Sequence, residues 1–319
     1  MKTLKLSVVI SLLFALILCS GCAGKEESKN IGTTGSEVKD SQGVVIKIPN
    51  KPQRIVSLSI GTDEILMELV APDRIAALTY LADEPSISNI TVEAKQVQTK
   101  IRANGETVIA LKPDLVLIAD WQPSELIQIM RDAGVPVYVF KSARSIDQVR
   151  QNIKDIARIV GEEEKGATIL SRMDQSLEKI TNKVKNIPDN ERKIVARFSN
   201  MGGSGGIGST FDSICQYAGV KNVAAMAGLD SSGTLTKEQI VQNNPDFLLL
   251  PAWDYKGKED LNRYKEEVQN DPALQTIKAV QNKRLEQVSD RYLFCTSHHI
   301  VKGVSEIAHI AYPELFSKE

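Results

Sequence analysis

The chain has 319 residues and a nearly balanced charge, with 39 Lys and Arg residues against 40 Asp and Glu residues and a formal net charge of −1 at pH 7. Because there is no basic excess, a nucleic acid is not expected as a partner. The length favours one or two domains. The cysteines lack the spacing of a zinc site, and whether Cys215 and Cys295 form a disulfide is left open.

The first 21 residues have the layout of a bacterial signal peptide. Lys2 and Lys5 form a short basic region, and residues 8–18 form an apolar stretch interrupted only by Ser11. This stretch is shorter than the ~20 apolar residues that span a membrane, and small residues follow it, as at a cleavage site. We therefore predict a signal peptide over residues 1–21.

Cys22 follows the predicted cleavage site and resembles the lipobox cysteine of bacterial lipoproteins, which receives diacylglycerol. Cys19 stands where that pattern prefers Leu, so an ordinary signal peptide with an incidental cysteine is the alternative. Residues 22–43 are polar and rich in Gly, Ser, Lys and Glu, which is typical of a flexible tether. The resemblance implies a protein anchored by its lipid at the outer face of the bacterial cytoplasmic membrane, in the periplasm or at the cell surface.

The chain contains two copies of one pattern, in which Glu begins a short helix, Pro-Asp ends it, and an apolar run leads to Trp. The copies are ETVIALKPDLVLIADW from Glu106 and EQIVQNNPDFLLLPAW from Glu238. Such an apolar run is typical of a strand covered on both faces of a parallel sheet. The repeat predicts two similar α/β lobes, over residues 44–161 and 188–319.

Residues 162–187 lie between the predicted lobes and have the pattern of one long helix. Apolar residues recur every three or four positions from Leu170 to Ile187, which forms a single helical stripe, and Pro188 ends the pattern. Roughly 26 residues at ~1.5 Å each would span ~39 Å. We predict a rigid helix that joins the lobes, the alternative being an ordinary helix of one lobe.

Three segments in chain order resemble the iron–siderophore and cobalamin class of ABC-importer substrate-binding proteins. They are RIVSLSIGTDEIL from Arg54, LKPDLVL from Leu111 and VKGVSEIA from Val301. The resemblance implies an α/β fold of two similar lobes with central sheets, bridged by a single long α-helix, with a ligand cleft between the lobes. It also implies a protein that is not an enzyme and has no cofactor, and that delivers a small metal chelate to a permease dimer with its ATPase. We expect a monomer.

The candidate ligand residues are aromatic or basic. Ligands of open parallel sheets lie beyond the carboxyl ends of the strands, and Trp121 and Trp253 are predicted at that end of equivalent strands. Aromatic rings stack on planar chelates, and guanidinium groups bind anionic oxygens. The predicted ligand-binding residues are Tyr80, Arg102, Trp121, Arg197, Trp253 and His298.

The identity of the ligand is left open among metal chelates. In the cobalamin binders of this class, Trp would stand before the Arg102 loop and before the Glu238 helix, whereas this chain has residues such as Ile101 and Leu235 there. This departure favours a ferric siderophore, with cobalamin or haem as alternatives.

Glu106 and Glu238 match the acidic residues that, in the class resembled, pair with arginines of the permease. Two like charges on similar lobes suit a partner with two-fold symmetry. The alternative is a glutamate at a helix start, where the macrodipole favours an acidic residue by less than ~1 kcal/mol. We predict that both are permease-docking residues.

The glycine-rich loop over residues 202–208 matches two enzyme patterns. It fits the spacing of a dinucleotide-binding loop and that of a hydrolase nucleophile elbow at Ser204. No helix is predicted directly after Ser204, which disfavours both. A secreted α/β hydrolase that uses Ser204 with His298 or His299 is the alternative class of function. No metal site is expected, because the first lobe has no histidine.

Overall fold

The structure is a computed structural model, and it describes residues 35–199, 202–252 and 260–316. The predicted signal peptide, the lipidation candidate Cys22 and the predicted ligand residue Trp253 lie outside these ranges. Within the described ranges, no helix is both long enough and apolar enough to cross a membrane.

The described part begins with an antiparallel hairpin of two strands, β1 (Gly35–Lys39) and β2 (Val45–Pro49). Alternate side chains of the hairpin are buried, including Val38 and Ile46, as expected for strands with one face on the core. The tether predicted over residues 22–43 was therefore wrong from Gly35 onward. The polar composition of residues 35–39 suggested a tether, although a strand with one buried face needs apolar residues only at alternate positions.

The N-terminal lobe contains a parallel sheet of five strands, in the order β5-β4-β3-β6-β7. The predicted apolar strand β6 is buried along its whole length. The strands are β3 (Ile55–Ser57), β4 (Ile75–Thr79), β5 (Lys100–Ile101), β6 (Leu115–Ala119) and β7 (Val137–Phe140).

Helices connect these strands. Three of the helices are capped at their N-terminus by a side chain that accepts a hydrogen bond from a backbone N–H of the first turn. The capping residues are Ser59, Asn104 and Ser145, each of a type favoured at this position. The helices are α1 (Ile60–Leu69), α2 (Gly105–Ala110), α3 (Ser124–Asp132) and α4 (Ile146–Val160).

A single long helix, α5 (Glu163–Val184, 22 residues), follows the N-terminal lobe and agrees closely with the predicted span. Its buried stripe includes Met173 and Leu177. Near its start, a Cβ atom on Gly166 would lie 2.5 Å from the Cβ atom of Ala157 on α4. At its end, Val184 packs against Gly219 of the C-terminal lobe, 2.9 Å from where a Cβ atom would stand. The helix therefore contacts both lobes.

The C-terminal lobe repeats the strand order of the first lobe. Its parallel strands run in the order β10-β8-β11-β12, which corresponds to β4-β3-β6-β7, and a short strand β9 pairs antiparallel with β8. The strands are β8 (Ile194–Ser199), β9 (Gly202–Gly203), β10 (Lys221–Asn222), β11 (Phe247–Leu250) and β12 (Leu285–Gln287).

Eight helices of the described C-terminal residues surround this sheet. They are α6 (Thr210–Tyr217), α7 (Val223–Met226), α8 (Lys237–Asn243), α9 (Leu261–Asn270), α10 (Lys278–Gln281), α11 (Asp290–Leu293), α12 (Ile300–Ala311) and α13 (Pro313–Phe316). Thr236 and Gln239 form a capping box at the start of α8.

The two Pro-Asp sites of the sequence repeat make the same contact in both lobes. Asp114 accepts a hydrogen bond from the backbone N–H of Arg54 (2.8 Å), and Asp246 accepts one from the backbone N–H of Ile194 (2.8 Å). In each case the carboxylate fixes the start of the neighbouring central strand, β3 or β8. The repeat in the sequence therefore corresponds to a repeat in the structure, which confirms the prediction of two similar α/β lobes.

The lobes also contact each other directly. One apolar cluster runs through the helices between the two sheets and includes Leu66 of α1, Ile153 of α4, Ile214 of α6 and Val304 of α12. Residues 35–319 accordingly form one compact unit. The long helix is thus one member of a packed helical layer rather than the sole connection between the lobes.

Candidate functional site: an interlobe ligand cleft

A cavity of about 330 Å³ lies beyond the carboxyl ends of β3, β4 and β6. Its walls include Leu58, Tyr80, Ala119 and Trp121 from the N-terminal lobe and Phe294 and Thr296 from the C-terminal lobe. The position is the one expected for ligands of open parallel sheets, and the volume falls within the range of small-molecule sites. Both lobes contribute to the cavity, as predicted for a shared cleft.

The strand ends explain why these side chains converge. Thr79 is the last residue of β4 and Tyr80 follows it, while Ala119 ends β6 two residues before Trp121. On β7's side of the cavity, the hydroxyl of Ser142 is buried and has no hydrogen-bond partner within the described residues. The cavity wall is therefore largely apolar and contains an unused polar group.

Two of the predicted ligand residues stack on each other at the cavity. The guanidinium carbon of Arg102 lies 3.7 Å from the ring centroid of Tyr80, well within the range of a cation–π interaction. Tyr80 lines the cavity, as do Ile101 and Ala103 on either side of Arg102. Tyr80 therefore lies at the cavity and Arg102 lies beside it, and their role as ligand residues stays a prediction.

Trp121 lies at the mouth of the cavity with 66% of its side chain exposed. An indole is usually more buried in a protein of this size, so this one presents an open face for stacking. Its counterpart Trp253 lies outside the described residues.

Arg197 lies within β8 and contacts the ring of Phe294, although it does not itself line the cavity. Its guanidinium carbon is 4.3 Å from the Phe294 ring centroid and 5.4 Å from that of Phe211. Burial lowers the pKa of Arg197 below its ordinary value, and the nearby Asp290 carboxylate opposes this shift. Because arginine stays charged in proteins, a positive charge lies next to the Phe294 wall of the cavity, partly offset by the Asp290 carboxylate.

His298 does not line the cavity, although it was predicted as a ligand residue. Its Nε2 atom lies 2.8 Å from Glu68 Oε2, in the last turns of α1. The hydrogen bond from His298 and the ion pair with Arg172 lower the pKa of Glu68 to about 2, against the effect of burial. His298 therefore belongs to the contact between the lobes, because the chain turns into α12 just after the cavity wall ends at Thr296.

Glu106 and Glu238 occupy the same place in the two lobes. Each is the second residue of its helix, α2 or α8, and each is exposed. The pKa of Glu238 is lowered by its own backbone N–H and by the hydroxyl of Thr236. Both helices run back from the carboxyl edge of their sheet, so the two carboxylates lie on the cleft side of their lobes.

Sequence reasoning missed the C-terminal wall of the cavity and the carboxylate behind it. Phe294 and Thr296 belong to a short segment between two helices, which has no periodic pattern. A signal was present in α1, where the charged pair Asp63 and Glu64 interrupts an apolar stretch; both side chains are fully buried. Buried carboxylates require partners, so this pair pointed to a polar contact within the core.

The hydrolase alternative finds no support in the geometry. Ser204 is exposed in a loop that continues to Ser209 before α6 begins, whereas a nucleophile elbow needs a helix directly after the serine. His298 is engaged by Glu68. Cys215 and Cys295 are both buried free thiols, so the open question of a disulfide is answered by two unpaired cysteines.

Comparisons with known proteins agree with this architecture. The model of the family described as "Periplasmic binding protein" matches residues 55–292. An uncharacterised ABC transporter substrate-binding lipoprotein of Bacillus subtilis, YvrC, is 27% identical over 97% of both chains. A cobalamin-binding protein of Halobacterium salinarum is 28% identical over 66% of this chain and 57% of its own length.

A solved structure shows the same fold. A possible iron-binding, periplasmic solute-binding protein of Staphylococcus epidermidis superposes with a TM-score of 0.69 at 24% identity, covering 82% of this chain and 99% of that one. Together with the family match over most of the chain, this confirms the predicted fold and the predicted function as the substrate-binding component of an ABC importer. The chain belongs to the periplasmic binding protein family.

Proposed function

We propose that the cleft captures an anionic metal chelate, a ferric siderophore in preference to cobalamin or haem. The observation that carries this proposal is the guanidinium of Arg197, which lies 4.3 Å from the ring of Phe294 on the cavity wall. The Asp290 carboxylate offsets part of its charge, and an anionic ligand group would add a charge-assisted hydrogen bond to it. The exposed indole of Trp121 supports stacking on a planar part of the same ligand.

The relatives support a chelate but differ in which one they bind. Their names include cobalamin and iron ligands. Ile101 lines the cavity and Leu235 is buried in the C-terminal lobe. Neither can supply the aromatic ring that cobalamin binders of the resembled class have near these places, which favours a siderophore.

The proposal is tested by titrating the protein with ferric siderophores, ferric citrate, cyanocobalamin and haemin while tryptophan fluorescence is followed. We expect quenching at sub-micromolar concentration by one ferric chelate, because Trp121 borders the cavity. In the matched variant Trp121→Phe, most of the ligand-induced quenching should disappear, while calorimetry should still detect binding of the ligand. Tight binding of cyanocobalamin or haemin, without binding of any ferric siderophore, would contradict the proposed ligand and identify that compound instead.

Glu106 and Glu238 are proposed to dock the protein onto arginines of the permease dimer. Their matched positions on two similar lobes suit a partner with two-fold symmetry. Reversing both charges, in Glu106→Lys with Glu238→Lys, should abolish uptake of the ligand by cells while leaving ligand affinity unchanged. Glu178→Lys, on the exposed face of α5, is the control. Normal uptake by the double variant would rule out docking through this pair.

The lipid anchor at Cys22 is likewise a proposal, as are the signal peptide and a monomeric state. It is supported by the lipoprotein name of the Bacillus relative. Changing Cys22 to Ser should release the protein from the membrane fraction of cells, because one lipid signal would be lost. An unchanged membrane association would show that something other than Cys22 holds the protein.

A further inference from the structure

The segment over residues 294–297 has two different faces. Phe294, with 49% of its surface exposed, and the half-buried Thr296 face the cavity. Cys295 and Ser297 alternate with them and are buried, at 5% and 0% exposure. Successive side chains of the segment thus lie on opposite sides of it. Whatever holds Cys295 and Ser297 therefore also sets the position of the cavity wall.

The buried face of this segment is held by Glu64, a residue of α1 in the other lobe. The carboxylate is 2% exposed. Its Oε2 atom accepts a hydrogen bond from the hydroxyl of Ser297 and lies 3.6 Å from the thiol of Cys295. Its Oε1 atom accepts hydrogen bonds from the backbone N–H (2.8 Å) and the side-chain amide (2.9 Å) of Asn89.

Asn89 extends the same contact to the helix before the segment. Its side-chain amide also donates to the backbone carbonyl of Arg291 (2.9 Å), and the backbone N–H of Arg291 donates to the carbonyl of Ser86 (3.1 Å). One carboxylate therefore organises polar groups on both sides of the segment, at its start and at its end.

The backbones of the two lobes come very close beside this carboxylate. A Cβ atom on Gly61 would lie 2.2 Å from the hydroxyl oxygen of Thr296 and 3.3 Å from its carbonyl oxygen. Glycine is required here because any side chain would separate α1 from the segment. The wall of the cavity is thus fitted directly onto the start of α1.

We propose that Glu64 is a positioning residue of the cleft, whose carboxylate fixes residues 294–297, and with them Phe294 and Thr296, against α1. It does not line the cavity and acts only through its hydrogen bonds. In a low-dielectric interface these bonds are strong, and removing the acceptor deprives the hydroxyl of Ser297 and the backbone N–H of Asn89 of this partner. The segment should then open locally.

The two buried cysteines provide a native measurement of this opening that needs no ligand. Cys295 lies within the contact, and Cys215 lies in α6, 1% exposed. The full chain is treated with a thiol reagent, and the labelling rate of each cysteine is read by peptide mass mapping. In Glu64→Ala, Cys295 should be labelled at least about tenfold faster than in the parent protein, while Cys215 keeps its rate.

Two further variants separate positioning from general destabilisation. Glu64→Gln retains an acceptor for Asn89 and a donor for Ser297, so Cys295 should stay within about threefold of the parent rate. Ser297→Ala removes a single hydroxyl and should give an intermediate rate even if Glu64→Ala does not fold. Glu68→Ala is the control, because Glu68 lies on the same helix and also pairs with the other lobe; it should leave Cys295 near the parent rate.

Three results would overturn the proposal. They are an unchanged Cys295 rate in Glu64→Ala, an equal acceleration of Cys215, and an equal acceleration in Glu68→Ala. Because no ligand is used, such a failure is distinguishable from a failure of the proposed chelate binding.

Discussion

The two lobes have the same framework but different site-bearing loops. Lys112 and Asn244 stand at matching positions of the repeat, and both adopt a left-handed backbone, with φ of 47° and 46°. Few residues other than glycine adopt this conformation, yet in both lobes it directs the chain into the Pro-Asp turn. The left-handed residue occurs in both lobes because each turn must lead into the equivalent strand, β6 or β11, at the equivalent position in its sheet.

The loops after the first central strands differ. In the N-terminal lobe, Ser59 caps α1 two residues after β3 ends, so α1 begins at the cavity. In the C-terminal lobe, β8 continues into β9 and a glycine-rich loop before Ser209 caps α6. Within the described residues, most of the cavity wall therefore comes from the first lobe. The framework determines where a cleft forms, and the loops determine what it contains.

The largest expected effect is a pH dependence of stability due to Asp63 of α1, whose hydrogen-bond donors differ from those of its counterpart Asp212 in α6. Asp63 accepts hydrogen bonds from Thr79, whereas Asp212 accepts them from the amides of Asn222 and Gln216. Burial raises the pKa of Asp63 from 3.8 to about 8, although the hydrogen bonds from Ser57 and Thr79 oppose this. The folded protein therefore keeps a proton that the unfolded chain releases.

The free energy of unfolding of the parent protein should consequently fall as the pH rises from about 4 to about 8, by an amount on the order of several kcal/mol, and level off above that range. Asp63→Asn should lack this part of the pH dependence, because its amide is neutral throughout. Denaturant unfolding at pH 5 and pH 8 measures the difference. If the difference in the free energy of unfolding between the two proteins were the same at pH 5 and pH 8, a raised pKa of Asp63 would be contradicted.

The next effect compares the basic residues of the two lobes. Arg197→Met should weaken binding of the anionic chelate by about 10- to 100-fold, the value of a charge-assisted hydrogen bond. Arg102→Met removes an exposed guanidinium stacked on Tyr80 and should cost only about threefold. Calorimetric titration of both variants gives the comparison.

Thermal unfolding of Arg197→Met serves as its control. Removing the guanidinium takes away both the cost of burying a charge and its attraction to Asp290, and these opposed effects should leave stability nearly unchanged. A variant that loses both affinity and stability would indicate a structural role for Arg197 instead.

A smaller difference is expected between the two Pro-Asp sites. Asp114 accepts hydrogen bonds from two backbone N–H groups, of Gln53 and Arg54, whereas Asp246 accepts one from Ile194. Asp114→Ala should cost about 2 kcal/mol and Asp246→Ala about 1 kcal/mol, as measured by urea unfolding. Equal costs would show that the extra bond of the first lobe contributes nothing.

The smallest effect concerns the contact between the lobes at Glu68 and His298. The pair is partly exposed, so Glu68→Gln should lower stability by less than about 1 kcal/mol at pH 7. Because the pKa of Glu68 is lowered from 4.5 to about 2, this difference should be present above pH 4.5 and disappear as the pH falls towards 2. Unfolding curves at pH 7 and pH 2.5 provide the measurement.

The sequence predicted those parts of the molecule that depend on local periodicity. The strands before Trp121 and Trp253 are continuous apolar runs, and the long helix over residues 163–184 repeats apolar residues every three to four positions. One continuous segment supplies each of these patterns by itself. The first strand of the hairpin, β1, was missed, because it is short and four of its five residues are glycine or polar.

The cleft was predictable on one side only. Trp121 follows an apolar strand that could be read from the chain, so its position at the carboxyl edge of the sheet was foreseeable. The wall formed by Phe294 and Thr296 depends on contacts with α1, more than 200 residues away in the chain. No local pattern specifies such a contact, and none specifies the contact of His298 with Glu68.

The central claim, that the lobes share a cleft which binds an anionic chelate through Arg197, is tested most directly by one titration. The parent protein and Arg197→Met are each titrated with the ferric chelate that binds best, and the two dissociation constants are compared. The account predicts sub-micromolar binding by the parent protein and a loss of about 10- to 100-fold in the variant. Equal affinity in the two proteins would contradict it.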